Sequence, residues 1–228
     1  ILMATFTSFQ ETLPSPSNSI GTAGQSTGTA GVGFKSVQLS SIAPIMRDRA
    51  NSGRLSTRAQ LYHKFTLKIA YNPLTSTDFN RIFSFLIEKQ GSLKPFFIEL
   101  PQSTGGTNHT TDGVTAAGSQ TINTSTDNTP SIGSIFTVTD SSNTNHTKAY
   151  MVTRVETNSD YNTNLGQPGS GKRRIHIVPG LQKSVTSGST LNFNKPLIKV
   201  IQKSDNTSYS LDQNNLYNFS LDLEEVST

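Results

Sequence analysis

Residues 58–100 read RAQLYHKFTLKIAYNPLTSTDFNRIFSFLIEKQGSLKPFFIEL, and the spacing of their apolar residues changes twice. In the first part Leu61, His63, Phe65, Leu67, Ile69 and Tyr71 fall on one face, and Tyr62, Lys64, Thr66, Lys68 and Ala70 on the other. That alternation is the signature of a half-buried strand. Pro73 ends it, since proline has no N–H for a ladder. Phe79, Ile82, Phe83, Leu86 and Ile87 then recur at helical spacing, which predicts one core-facing stripe. Thr75, Ser76 and Thr77 are candidate N-caps, with Asp78 placed to oppose the positive end of the helix. Gly91 suits the left-handed position after a helix, and Pro95–Leu100 reads as a second strand. The segment is therefore strand, helix, strand, with a helix of roughly three to four turns.

Upstream, residues 1–33 are rich in Ser, Thr, Gly and Pro, with apolar Phe6, Phe9, Leu13 and Ile20 scattered among them. They read as an N-terminal arm, either flexible or extended along a neighbouring subunit. Residues 33–40 form an expected strand, and Arg47–Arg54 a basic, turn-prone loop: a solvated hairpin tip, a subunit contact or a phosphate-facing loop. Downstream, residues 102–194 shift toward Thr, Ser, Asn and Gly, with short apolar runs at 120–123, 134–139, 148–155, 174–178 and 190–193. Five short strands between turn-rich loops predict a small barrel with the strand count of an OB-fold. Strong strands resume at 198–202 and 216–225, so the barrel reads as an insertion into a domain made of 34–101 and 195–228. The last strand, with Tyr217, Phe219, Leu221 and Leu223 alternating, is expected beside the one at 61–70.

Composition narrows the function. The chain of 228 residues has 32% hydrophobic and 15% charged residues and no cysteine, which excludes disulfides, Cys-based zinc sites and a cysteine nucleophile. A net charge of +4 with dispersed Lys and Arg is a weak footprint for nucleic acid. No apolar run approaches a membrane span and no signal-peptide pattern opens the sequence, so a soluble protein made in a cytoplasm is expected.

Patterns that tempt a chemical reading fail on context. Gly166–Lys172 matches GxxxxGK, but Arg173 and a strand follow where a P-loop needs Ser or Thr and a helix. His63, His109, His146 and His176 lack zinc-site spacing; His109 and His146 are placed in polar loops, while His63 and His176 fall in strands as structural residues. Glu88, Glu99, Asp112, Asp140, Glu156, Asp222, Glu224 and Glu225 form no evident acid–base pair. No catalytic residue, cofactor or metal is expected. For a glycan-binding face, Tyr150, Tyr161 and Tyr209 are the available aromatic platforms, since there is no Trp.

The run from Ser36 to Leu100, with its strand ending Tyr71-Asn72-Pro73, its helix opening Thr75-x-x-x-Phe79 and its Gln90-Gly91 stop before a Phe-rich strand, resembles a group of phage tail proteins. The likeness extends to Ala149–Thr153, Ile177–Leu181 and Leu216–Glu225. It is similar to distal tail proteins with an OB-fold insertion. What that resemblance implies is a mainly β fold: a tail-tube-like β-sandwich with one α-helix, interrupted by a small OB-like barrel. It further implies a homo-oligomeric ring, commonly a hexamer, that joins the tail tube to the baseplate or tip and surrounds the DNA channel. The barrel would project outward as a platform for hub, fibre or tip proteins, with no membrane involved. Tyr62, Lys64 and Lys68 on the outward strand face, and Arg47, Arg49 and Arg54 in the basic loop, are the candidate subunit or partner contacts. The competing expectation is a carbohydrate-binding module on the virion, recognising host glycans. A cell-wall-degrading enzyme is disfavoured, because a glycosidase needs two carboxylates facing across a groove.

Overall fold

The structure, a computed structural model, describes residues 11–14, 34–59, 62–100, 106–161 and 166–226. The fold is mainly β, with one α-helix among the described residues. The chain divides into two compact units, one running up to Phe97 and again over Val200–Glu225, the other spanning Ile98–Lys199 and taking in Val226.

In the first unit the strands are β1 (Phe34–Ile42), β2 (Ile45–Arg49), β3 (Leu55–Ala59), β4 (Lys64–Tyr71) and β5 (Phe96–Glu99), with helix α1 (Ser76–Lys89) between β4 and β5. After the second unit's β6 (His109–Thr110), β7 (Thr121–Thr124), β8 (Ile135–Thr139), β9 (Ala149–Glu156), β10 (Arg173–Val178) and β11 (Thr190–Asn192) come β12 (Leu197–Gln202), β13 (Tyr209–Leu211) and β14 (Tyr217–Glu225). One sheet runs β1-β4-β14-β12-β5, with β13 also paired to β14. β4 sits inside it: Leu67 lies opposite Leu39 and Leu223, and Ile69 opposite Val37 and Leu221. The expected pairing of the 61–70 region with the last strand is therefore present, with β4 starting at Lys64; Leu61 lies outside the described residues. Phe65, Leu67, Ile69 and Tyr71 are buried, as alternation requires.

Helix α1 lies on that apolar face. Thr75 caps it, its hydroxyl oxygen accepting from the Asp78 N–H and its O–H donating to the Asp78 carboxylate. The left-handed turn at its end begins one residue earlier than expected, at Gln90, and continues through Gly91. At Gly91 the positive φ coincides with a close approach: a Cβ there would sit 3.0 Å from the Asp205 Cα.

The core stripe is rotated from the expected one. Phe79, Ile82 and Leu86 are buried, but Phe83 is only half-buried and Ile87 is 54% exposed, while Phe85 and Lys89 are buried. Counting about 100° per residue, the buried arc runs from Phe85 through Lys89, Ile82 and Leu86 to Phe79, and Ile87 falls about 80° beyond it. Partners remote in sequence cause the rotation. Phe96 on β5 receives Phe85 edge-on at 5.3 Å, and Tyr217 on β14 stacks on Phe79 at 4.3 Å.

Of the 1–33 arm, residues 11–14 are described, and they lie on the chain's own sheet. Leu13 N–H donates to the Phe97 carbonyl and Phe97 N–H to the Glu11 carbonyl, both at 2.8 Å. Leu13 is 3% exposed. The remainder of the arm lies outside the described residues.

In the second unit every expected run holds a strand, and the short β6 makes a sixth. The sheet runs β6-β11-β8-β9-β10-β7 and then closes on itself. Thr111 bridges Thr124, Ser125 N–H donates to the Thr110 carbonyl at 2.9 Å, and Asp112 N–H donates to the Asn123 carbonyl at 2.8 Å. Closure leaves no open edge, and the interior is filled by residues such as Ile122, Phe136, Tyr150, Ile177 and Phe193.

Candidate assembly interface

Three features of the first unit bear on assembly. The first is β1, a nine-residue strand that pairs only with β4 among the described residues and so presents one open edge. Its inward side chains Val37 and Leu39, opposite buried Ile69 and Leu67, are only half-buried. Long open edges invite further pairing, and folded proteins ordinarily cover or blunt them. The edge at β5 is covered in this way by Glu11–Leu13.

The second feature is the hairpin β2–β3, a two-stranded sheet separate from the larger one. All five residues of β2 are exposed. Ile45, Met46 and Leu55 are 50%, 59% and 54% exposed. The expected basic loop is thus the distal half of a longer hairpin: Arg47 and Arg49 are strand residues, Arg47 opposite Thr57 and Arg49 opposite Leu55, and Arg54 stands at the turn. That turn is fixed by Ala50 N–H donating to the Arg54 carbonyl and Gly53 N–H to the Ala50 carbonyl. A two-stranded hairpin is marginal alone in water. Covering its three half-exposed apolar residues would contribute roughly 1 kcal/mol each.

The third feature is the outward face of the β1-β4-β14 sheet. Its cross-strand rows are polar: Gln38, Lys68 and Asp222 in one, Ser40, Thr66 and Glu224 in the next. Lys64 forms an ion pair with Glu224. That hydrogen bond, then one with Tyr62, holds the Lys64 ammonium above its ordinary pKa. Tyr62 is exposed with Lys64 over its ring, and Lys68 is exposed. The structure thus places Tyr62, Lys64 and Lys68 on or beside one sheet face, and Arg47, Arg49 and Arg54 on the hairpin.

Several polar groups of the second unit pair within it. His109 and His146 are not in solvated loops but buried, His109 edge-on to Phe193 at 5.1 Å, and burial lowers its pKa. His146 Nε2 lies 2.7 Å from the Tyr150 hydroxyl, whose oxygen also accepts from the Gln182 N–H at 2.9 Å. Burial, then the nearby Lys183 charge, lowers His146 to about 4, with Asp140 opposing. Burial pushes the Asp140 carboxyl up, but hydrogen bonds from the Thr186 N–H and hydroxyl and the Ser142 N–H outweigh it, and the net pKa is low. Glu156 gathers the Tyr161 hydroxyl, His176 and Arg154; the Tyr161 bond is the largest cause of its lowered pKa. Lys172, at the end of the GxxxxGK match, pairs with Asp112 at 2.7 Å and is followed directly by β10. Tyr150 cannot serve as an aromatic platform, being fully buried, and the Tyr161 hydroxyl is taken up by Glu156; Tyr209 is half-exposed and packs on Phe79 and Phe83.

No group of three or more His, Cys, Asp or Glu residues among those described could hold a metal ion. No described helix is long and apolar enough to cross a membrane, which leaves strands out of account. No family model matches the chain, and no curated protein matches it.

Proposed function

We propose that this chain is a virion structural protein that assembles as a ring at the distal end of a phage tail, linking the tail tube to the baseplate or tip. The observation that supports it best is the contrast between covered and open sheet edges. The barrel closes its own sheet and the β5 edge is covered by residues 11–13, whereas β1 keeps a nine-residue edge open, and the separate β2–β3 hairpin carries exposed apolar residues. A cyclic assembly pairs such edges without leaving a new one. The resemblance of Ser36–Leu100 and Leu216–Glu225 to distal tail proteins supplies the setting: six copies, a lumen for DNA passage without base recognition, and tail tube, hub or fibre proteins as neighbours. The polar rows through Lys68 and Thr66 suit a wall that faces water and passing DNA, because they offer a phosphate backbone no continuous cationic groove.

The proposal is tested by replacing Ile45, Met46 and Leu55 with Ser together. Sedimentation is expected to shift from ring to monomer while thermal melting of the monomer is unchanged, since these side chains contribute little to the subunit's own core. A variant that assembles like the parent protein would count against the hairpin as a ring contact.

A further inference from the structure

Helix α1 carries apolar residues over a wider arc than its own subunit covers. Phe79, Ile82, Phe85 and Leu86 are buried, whereas Phe83 is half-buried and Ile87, one turn further on, is 54% exposed. Strand β13 flanks this side of the helix. It pairs only with β14 among the described residues, and its Tyr209 and Leu211, opposite Phe219 and Tyr217, share the sheet face on which Tyr217 stacks against Phe79. The Tyr209 ring lies 4.8 Å from that of Phe79 and 5.5 Å from that of Phe83, yet Tyr209 and Leu211 are 51% and 50% exposed. Ile87, Phe83, Tyr209 and Leu211 thus form one apolar margin, where the sheet stops at β13 and the helix stripe runs on past it. A contiguous apolar surface of this kind on a folded subunit marks a contact.

The hairpin β2–β3 has the matching character. Every residue from Ile45 to Arg58 is exposed, so its own subunit does not cover it. Its register puts Ile45, Arg47, Arg49, Leu55 and Thr57 on one face, while Met46, Asp48, Ser56 and Arg58 lie on the other. The first face therefore joins two exposed apolar side chains to two arginines with no acid among them. At the margin, Glu88 follows Ile87, and the chain from Ser204 to Leu216 carries Asp205 and Asp212 and no base; the exposed bases nearest in sequence are Arg81 and Lys203. Ile87 also lies in the last turn of α1, where the backbone carbonyls favour a cation, and the Phe83 and Tyr209 rings can receive a guanidinium on their faces. The open edge of β1 differs: residues 34–42 hold Lys35 and no acid, which does not attract a basic face.

We infer that the hairpin of a second copy docks on this margin, with its Ile45 and Leu55 over Phe83, Ile87 and Tyr209 and its Arg47 and Arg49 toward the acidic side chains of α1 and the β13 segment. The contact rests on the ring reading and names the surface that receives the hairpin. Salt weakens it, because charges at the rim of an interface are screened.

The test uses the full chain, read by sedimentation and native mass. Ile87→Lys and Leu211→Lys each place a cation where the basic face would sit, at side chains about half-exposed in the subunit. Each is expected to weaken self-association by about tenfold or more with the melting temperature of the monomer unchanged. In a second measurement, Leu55→Cys chains are mixed with Ile87→Cys chains and a short bismaleimide is added; the parent chain has no cysteine, so a linked dimer identifies the pair. Ser36→Cys on the β1 edge replaces Ile87→Cys in a parallel mixture and is expected to give no link. Rings that form normally with both lysine variants, or linkage through Ser36→Cys instead of Ile87→Cys, would overturn this contact while leaving the ring reading intact. A parent chain that never self-associates would overturn both.

Discussion

Lowering the pH from 7.5 to 5.0 should destabilise the barrel through His146. This side chain is buried with its Nε2 on the Tyr150 hydroxyl, and its pKa is held near 4 against an ordinary 6.5, first by burial and then by Lys183. A depressed histidine pKa means that the unfolded chain takes up the proton first. The stabilisation is complete above pH 6.5 and is lost as the pH falls toward 4. With about 1.36 kcal/mol per pKa unit, the loss between pH 7.5 and 5.0 is about 2 kcal/mol. Asp140, whose pKa is also lowered, loses its contribution only below its ordinary value of 3.8, so it stays out of this window. His109 is lowered by burial too, which makes a single replacement necessary to isolate His146. Urea unfolding of the parent and of His146→Gln, followed by hydrogen exchange of barrel amides at pH 7.5, 6.0 and 5.0, should show the parent losing about 2 kcal/mol more than the variant. An imidazole proton titration should give a midpoint near 4. A midpoint at 6 or above, or parallel pH profiles, would refute the buried neutral imidazole.

Other perturbations probe separate joints. Leu13→Ala should cost about 2–3 kcal/mol in urea unfolding, because a side chain only 3% exposed leaves a cavity at the β5 edge; no change would mean that residues 11–14 do not dock. Gly91→Ala should cost more than about 1 kcal/mol, combining a positive φ with the 3.0 Å approach to Asp205, and a neutral result would contradict that turn. Thr75→Ala should remove about 1 kcal/mol by uncapping α1, seen as a lower melting temperature with faster amide exchange in its first turn. Tyr150→Phe leaves the Gln182 N–H and His146 without their shared hydroxyl and should cost about 1–3 kcal/mol, whereas a sugar platform would instead lose binding with stability unchanged.

What could be read from the sequence follows from the range of the forces involved. Strand alternation over Phe65–Tyr71 and Tyr217–Leu223 is local and sufficient, because a sheet with one apolar face admits only one register for such a pattern. The helix was legible in its extent and cap, but not in the direction it faces. Phe79 is spaced equally well for a stripe through Ile87 as for one through Phe85 and Lys89, and only Phe96 and Tyr217 select between them. His109 and His146 looked like loop residues because their neighbours are polar; their burial comes from Phe193 and Tyr150, far away or out of pattern. β6, two residues long, leaves no periodic signal, yet its extension closes the barrel. The arginines of the hairpin were visible as candidate contacts.

The measurement that bears most directly on the account is the stoichiometry of the purified chain, by native mass across micromolar concentrations together with electron microscopy of the same sample. A closed ring with an open lumen, six copies around it and the hairpin of each subunit against its neighbour is the predicted result. A monomer at every concentration, with β1 and the hairpin exchanging freely with solvent, would contradict it.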